Sequence, residues 1–297
     1  MTDRSAFPSH LLVFGLGYTG AAIAAAAAAS GLRVSATSRD PAHRVPPAGV
    51  RLLAFAQAGL ALADVTHVLA TAPPQADAGD PVLATYATAL AAAPALRWVG
   101  ILSSTGVYGD RHGGWVDEAT EPAPGQPRSV RRLAAERAWA ALAGHLAVDL
   151  FRLGGIYGPG RSPFDDLGAG RARRIVRPGH CFSRIHRDDI VRAVLAALAE
   201  PRPPGRRVLN LVDDEPAESA AVIEEAARLL GMVPPPALSF EAAAPGMSAM
   251  ARSFWSENRR VAGARTRQAL GLAWRYPTYR EGLRAILAEE GRDGAPE

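Results

Sequence analysis

Short apolar runs alternate with helix-like stretches through the first two thirds of the chain, and this alternation limits the fold more than any other feature. LLVF (11–14), RVSATS (33–38), RLLAFA (51–56), HVLATA (67–72), RWVGILSS (97–104), LAVDLFRLG (146–154) and RVLNLV (207–212) each read as a strand. Strands separated by helices pair in parallel and carry helices on both faces, which predicts an α/β, Rossmann-type doubly wound parallel sheet of about seven strands. Several helix boundaries are marked. Asp80 followed by Pro81 forms an N-cap and first turn, Gly31 closes an alanine-rich helix, Asp188 or Asp189 caps RIHRDDIVRAVLAAL, and Thr278 with Glu281 has capping-box spacing. The stretch before 51 is too short and proline-rich for a helix.

After residue 154 the pattern loosens, as an inserted substrate lobe requires. Residues 1–155 are expected to form a dinucleotide-binding core. Residues 156–297 hold the rest of the sheet, about 184–213, interleaved with a small C-terminal substrate lobe and the last helices. MVPPPALSF (232–240) and EAAAPGMSAM (241–250) read as connections within that lobe.

A chain of 297 residues, 48% hydrophobic, can bury a large core. Its longest apolar run, residues 20–31, is mostly alanine and too short to cross a bilayer, and MTDRSAFPSH lacks the order of a signal peptide, so a cytoplasmic protein without a membrane role is expected. Cys181 is the single cysteine, which excludes an internal disulfide and any multi-cysteine metal centre; no metal site is expected. The net charge is +4 and the pI about 9.7, but the arginines are scattered and no aromatic-basic motif accompanies them, so nucleic acid is not the expected partner. No lysine occurs anywhere in the sequence, so every basic side chain other than histidine is arginine.

GLGYTG, residues 15–20, follows the first strand and opens the alanine helix. Gly15 allows the tight turn, Gly17 lets the backbone approach a pyrophosphate, and Gly20 lets helix and strand pack closely, with Tyr18 and Thr19 between them. The adenosine ribose is read at the end of the second strand, where Ser38 and Arg39 replace the acidic side chain of an NAD site. Arginine suits a 2′-phosphate, so NADP is favoured; Asp40 keeps NAD as the alternative, and Arg39 also reads as a solvated loop charge. Ala72 and Pro73, after the fourth strand, complete the expected cofactor contacts together with Ser103 and Tyr157.

The fifth strand runs into ILSSTGVYGD, which sets Ser103, Ser104, Thr105 and Tyr108 at a carboxyl end, where open α/β sheets bind ligands. The order GxGxxG, SSTGVYG, a helix ending in AAE, RLGGIYGPGR and RIHRDDI resembles the extended short-chain dehydrogenase/reductases, the NAD(P)-dependent epimerase/dehydratase superfamily, over residues 10 to 215. The C-terminal ENRRV…LGLAWRYPTYREGL resembles an atypical branch. The resemblance implies a nicotinamide cofactor, a small-molecule substrate and a homodimer. It also implies that Ser104 binds the substrate oxygen and that a tyrosine and a lysine in YxxxK transfer the proton. Registering YxxxKxxxE by its glutamate places Glu136 last, Arg132 at the lysine and Arg128 at the tyrosine.

These three share one helix face, which the sequence sets opposite an apolar stripe of Val130, Leu133, Ala134, Ala138 and Leu142. Arg132 keeps the positive charge for the nicotinamide ribose. Arg128 does not release a proton at neutral pH and so does not act as the general acid and base. Tyr108, Tyr157 and His186 are alternative proton sources, each with a plainer reading as a packed or backbone-bonded side chain; a shifted register brings Ser129 toward the tyrosine position, though serine is a poor acid. Arg171, Arg173, Arg174 and Arg177 read either as an anion site or as a solvated turn. Two functions follow: an NADP-dependent oxidoreductase or epimerase on a small carbonyl or sugar-type substrate, or an NADP(H)-binding sensor without chemistry.

Overall fold

A computed structural model describes residues 9–291. Seven strands form its main sheet: β1 (His10–Phe14), β2 (Arg33–Ser38), β3 (Val50–Ala54), β4 (His67–Ala70), β5 (Trp98–Ser104), β6 (Ala147–Leu153) and β7 (Gly205–Leu211). Their spatial order is β7-β6-β5-β4-β1-β2-β3, in a parallel sheet. β1 pairs with β2 on one side and β4 on the other, so the order reverses between β1 and β4. That reversal creates a crevice beyond the carboxyl ends of the two strands, the usual ligand position in open α/β sheets. All seven expected strands are present, with boundaries shifted by a few residues. No regular helix links β2 to β3.

The chain divides into two compact units. The first comprises residues 1–107, 127–152 and 190–209; the second comprises 108–126, 153–189 and 210–297. Helices α1 (Tyr18–Ala29), α2 (Pro81–Ala92) and α3 (Pro127–Ala140) belong to the first unit. Phe14, Phe55 and Tyr86 pack there at centroid distances of 5.5 to 6.0 Å, within a core that also holds Leu12, Val68, Val99, Ile101, Trp139 and Val148. Asp80 joins two of the helices. Its Oδ1 accepts the N–H groups of Val82 and Leu83 at 2.9 and 3.0 Å, and its Oδ2 accepts the Trp139 indole N–H at 2.9 Å. The N-cap expected at Asp80 thus also fastens α3.

The second unit adds α4 (Arg187–Ala199), which continues into the first unit, α5 (Ser219–Leu229) and α6 (Tyr279–Glu289). The α6 capping box is formed, with the Thr278 N–H donating to Glu281 at 3.0 Å and Arg280 N–H to Thr278 Oγ1 at 3.1 Å. The capping role expected of Asp189 is corrected. Its carboxylate, fully buried, accepts the backbone N–H groups of Arg275 and Tyr276 at 2.7 and 2.9 Å. His186 Nδ1 instead accepts the Asp188 N–H at 3.2 Å beside the start of α4. The stretch 232–250 is also more ordered than a connection, because a short strand Ala237–Ser239 pairs with Arg174–Val176 and short helices cover Phe240–Ala243 and Ala249–Phe254.

Candidate functional site

The glycine loop lies where β1 ends. Gly15 has φ +104°, and a Cβ there would lie 2.6 Å from Thr71 Oγ1 at the end of β4. Thr71 in turn donates to the Phe14 and Gly15 carbonyls at 3.1 and 2.9 Å, which binds the loop across the switch point. A Cβ on Gly20 would meet the Gly15 carbonyl oxygen at 2.3 Å, so any larger residue pushes α1 away from the turn. Gly17 has the opposite environment, with nothing within 4 Å of the position a Cβ would take, and no side chain caps the N-terminus of α1 that follows it. Open space in front of an uncapped helix N-terminus suits a phosphate. Thr37 and Thr71 are loop-holding residues that the sequence pattern did not single out; Thr37 Oγ1 accepts the Gly15 N–H at 3.2 Å. Ala72 and Pro73 follow β4 directly, half-buried and exposed.

At the end of β2, Ser38 Oγ accepts the Asp40 N–H at 3.1 Å, and Arg39 is exposed. The Asp40 carboxylate is engaged by His43 Nδ1 at 2.8 and 3.0 Å, an interaction that no sequence motif announced. The acidic group that would favour a ribose hydroxyl is thereby paired, while the guanidinium beside it stays in solvent.

The α3 helix sits differently from its sequence pattern. Its buried side is Ser129, Leu133, Ala135, Glu136 and Trp139, whereas Val130 is half-exposed and Ala134 and Ala138 face solvent. The apolar stripe expected opposite the Arg128, Arg132 and Glu136 face is corrected: that polar face lies toward the sheet. It is admitted there because its groups are satisfied. Glu136 is 2% exposed and receives Arg152 Nη2 at 2.8 Å, Arg152 Nε at 3.2 and 3.3 Å, and the Ser103 hydroxyl. Arg132 Nη1 donates to the Leu102 carbonyl at 3.0 Å, and burial lowers the pKa of its guanidinium, against the pull of Asp80 and Glu136. Ser103 was expected to contact the cofactor; its hydroxyl is instead tied into this buried frame.

Ser104, the next residue, is half-buried and accepts the Gly106 N–H at 3.1 Å. A Cβ on Gly106 would lie 2.7 Å from Ser129 Oγ and 3.3 Å from Ser104 Oγ, so the two hydroxyls flank one glycine at the carboxyl end of β5. A recess of about 660 Å³ lies elsewhere, at the amino ends of β4, β5 and β6, beside His67, Arg97, Trp98 and Ala147, and so has no part in a site at the carboxyl ends.

No family model matches the chain. A solved structure of a conserved protein of unknown function from Silicibacter pomeroyi is 44% identical, with a TM-score of 0.86 over 95% of this chain and 99% of that one. A protein from Methylobacillus flagellatus assigned to the NAD-dependent epimerase/dehydratases is 25% identical, with a TM-score of 0.70 over 96% of this chain and all of that one. MoeE5, solved with UDP-glucuronic acid and NAD, is 23% identical, with a TM-score of 0.74 over 96% and 99%. The solved neighbours include NAD-dependent epimerase/dehydratases, and the chain shares their fold. Two curated relatives align with it at 33% identity: a 3-diazoavenalumate denitrifying reductase of a Streptomyces species, over 168 residues and 54% of each chain, and the Escherichia coli K12 protein YeeZ, over 134 residues, 45% of this chain and 46% of the relative. The chain spans about half the length of these curated relatives.

The sequence contains no YxxxK, and three side chains considered as alternative proton sources lie in the second unit. Tyr108 is fully buried with its hydroxyl donating to Asn210 Oδ1 at 2.8 Å, a packed loop aromatic rather than an acid. Tyr157 belongs to the core of this unit rather than to a pocket wall. Its phenol lies so close to α6 that a Cβ on Gly282 would be 2.2 Å from Oη, and burial, reinforced by Asp213 and Asp189, raises its pKa. His186 is 1% exposed, packed between Tyr157 and Tyr276 at 5.2 and 4.2 Å, and burial lowers its pKa to about 4. It is neutral at pH 7. The arginine cluster disperses: Arg171 pairs with Asp166 at 3.2 Å, Arg174 with Glu224 at 3.1 Å, and Arg177 reaches the Trp255 carbonyl while lying over Phe240. Arg173 is exposed beside Gly246. Arg171 and Arg173 are solvated, whereas Arg174 and Arg177 are half-buried and engaged by neighbouring groups.

Among the described residues no group of three or more His, Cys, Asp or Glu side chains is arranged to hold a metal, and no helix is long and apolar enough to cross a membrane.

Proposed function

We propose that the chain is an NAD(P)-dependent oxidoreductase or epimerase/dehydratase-like enzyme for a small carbonyl or sugar-type substrate, with NADP preferred. The observation that carries this reading is the glycine loop: Gly15 and Gly20 are sterically obligatory, and Gly17 faces open space before an uncapped helix N-terminus at the switch point. A bound nicotinamide would supply hydride chemistry. The residues suited to hold it are Gly15, Gly17, Tyr18, Thr19 and Gly20 at the pyrophosphate, Ser38 and Arg39 at the adenosine ribose, and Arg132 at the nicotinamide ribose. Ser104 then donates its hydroxyl to the substrate oxygen. The name of the Streptomyces relative, a reductase, and the NAD held by MoeE5 support a nicotinamide cofactor without bearing on the NADP preference.

NADP preference rests on Arg39 beside a paired Asp40. Titration with NADPH and NADH, read by nicotinamide fluorescence, is expected to give tighter binding of NADPH. Arg39→Asp should reverse the order by about ten-fold or more, the effect of replacing a charge-assisted phosphate contact by repulsion. Equal affinities in the wild type would remove the NADP assignment.

A second reading is favoured by the buried states of Tyr108, Tyr157 and His186: an NADP(H)-binding sensor that has given up hydride transfer. A broad panel of carbonyl compounds with NADPH separates the two. Tight cofactor binding with no NADPH oxidation across the panel selects the sensor.

A further inference from the structure

The carboxyl end of β2 leads into a short run of charge that the expected cofactor contacts use only in part. Asp40 is the only acidic residue between positions 33 and 63, a stretch that spans β2, β3 and the connection between them; Arg39, His43 and Arg44 lie in that connection beside it. All four side chains are exposed. The acid is nevertheless held in a set place. The Asp40 N–H donates to Ser38 Oγ at 3.1 Å, Pro41 follows with its φ fixed by the ring, and the Arg44 N–H donates to the Pro41 carbonyl at 3.4 Å, a turn that brings residue 43 back beside residue 40. His43 Nδ1 then lies 3.0 and 2.8 Å from the two oxygens of the Asp40 carboxylate. An ionised carboxylate only accepts, so the ring nitrogen that approaches both oxygens carries the hydrogen and donates it.

A carboxylate at this point acts in opposite directions on the two dinucleotides. It accepts a hydrogen bond from the 2′-hydroxyl of NAD, and it repels the 2′-phosphate of NADP. We propose that His43 is a specificity-determining residue of this site: it engages both Asp40 oxygens, so that the carboxylate is withheld from a 2′-hydroxyl and its repulsion of a 2′-phosphate is reduced. The inference deepens the dinucleotide-binding reading and rests on it. Arg39 attracts the phosphate, whereas His43 acts through Asp40, a positioning role without contact to the ligand. The His43 and Asp40 side chains are 84% and 65% exposed, so replacing either one leaves the fold intact.

The test uses the whole chain, with NADPH and NADH titrated separately and nicotinamide fluorescence as the readout. The quantity compared is the ratio of the two dissociation constants, NADH over NADPH. His43→Ala is expected to lower that ratio about three- to ten-fold, because the released carboxylate weakens NADPH and strengthens NADH together. In an Asp40→Asn background the same replacement should leave the ratio unchanged, and His43→Gln, which keeps an N–H donor, should recover part of the wild-type value. The inference is overturned if His43→Ala leaves the ratio where it was or raises it. It is also overturned if the fall persists in Asp40→Asn, since His43 would then act on the phosphate directly. Failure of the underlying reading looks different: neither dinucleotide binds the wild type, and both statements fall together. Equal wild-type affinities remove the NADP assignment alone, because the His43 shift is measured against the wild-type ratio whatever its value.

Discussion

Glu136 shows how much one buried residue decides. Its carboxylate compensates Arg152, 5% exposed, and fixes the Ser103 hydroxyl, all beneath the end of β5. Removing one partner of a buried ion pair leaves the other charge unpaired, a loss of roughly 3–5 kcal/mol. Glu136→Gln is accordingly expected to lower the unfolding free energy measured in urea by an amount in that range, whereas Ser103→Ala costs about 1.5–3 kcal/mol, one hydrogen bond to a charged group. A Glu136→Gln protein as stable as wild type would show that the pair contributes no net stability. None of this was legible in the sequence, where Glu136 served only to set a register. Its partners lie 16 and 33 residues away, and separation of that size leaves no periodic trace. The glycines were legible for the opposite reason, since their constraint is local and follows directly behind a strand.

At the scale of elements, the strands were readable because β1, β4 and β5 are covered on both faces and appear as nearly unbroken apolar runs. β7 was less exact, because its first residues are glycine and arginines at the edge of the sheet. The orientation of α3 was misread for a reason particular to this chain. Alanine is used freely on both sides of its helices, so Ala134 and Ala138 looked like a core stripe while the true inner face carried charge. In α1 alanine surrounds the helix completely, and only Ile23, Ala24 and Ala27, with Thr19 and Gly20, are inside. The corrected orientation has a direct check. Ala134→Glu and Val130→Glu should change stability by less than about 0.5 kcal/mol, as at ordinary surface positions. Leu133→Ala, at 8% exposure, should cost about 2–4 kcal/mol. Losses of about 2 kcal/mol or more at Ala134 and Val130 would return those two positions to the buried stripe that the sequence suggested.

Across the whole molecule, each unit contains a histidine buried in its neutral form. His67 in the first and His186 in the second have pKa values lowered to about 4, chiefly by burial, with Arg97 adding to the effect at His67. In the unfolded chain both take up a proton near 6.5. The unfolded state therefore binds more protons between 6.5 and about 4, and the folded state loses stability as pH falls through that window. Asp213, raised well above the usual carboxylate value by burial, acts in the other direction, favouring the fold at low pH and losing that contribution as its proton leaves. Two histidines outweigh one carboxyl between pH 6.5 and 4. Unfolding midpoints should fall over that range, and His186→Phe should flatten the slope relative to wild type; an unchanged slope would mean that His186 titrates normally.

The open start of α1 connects the fold to its supply of ligand. A helix whose first turn has no side-chain cap is among the easier ones to fray, and on the proposed reading a dinucleotide seated before Gly17 would stabilise the folded form by mass action, more strongly as its free concentration exceeds its dissociation constant. Where proteolysis acts on the opened chain, turnover would then follow the filling of the glycine loop. Under those conditions, and if the proposed cofactor is the ligand, the amount of this protein in a cell would become a record of how much nicotinamide dinucleotide the cell has had to spare.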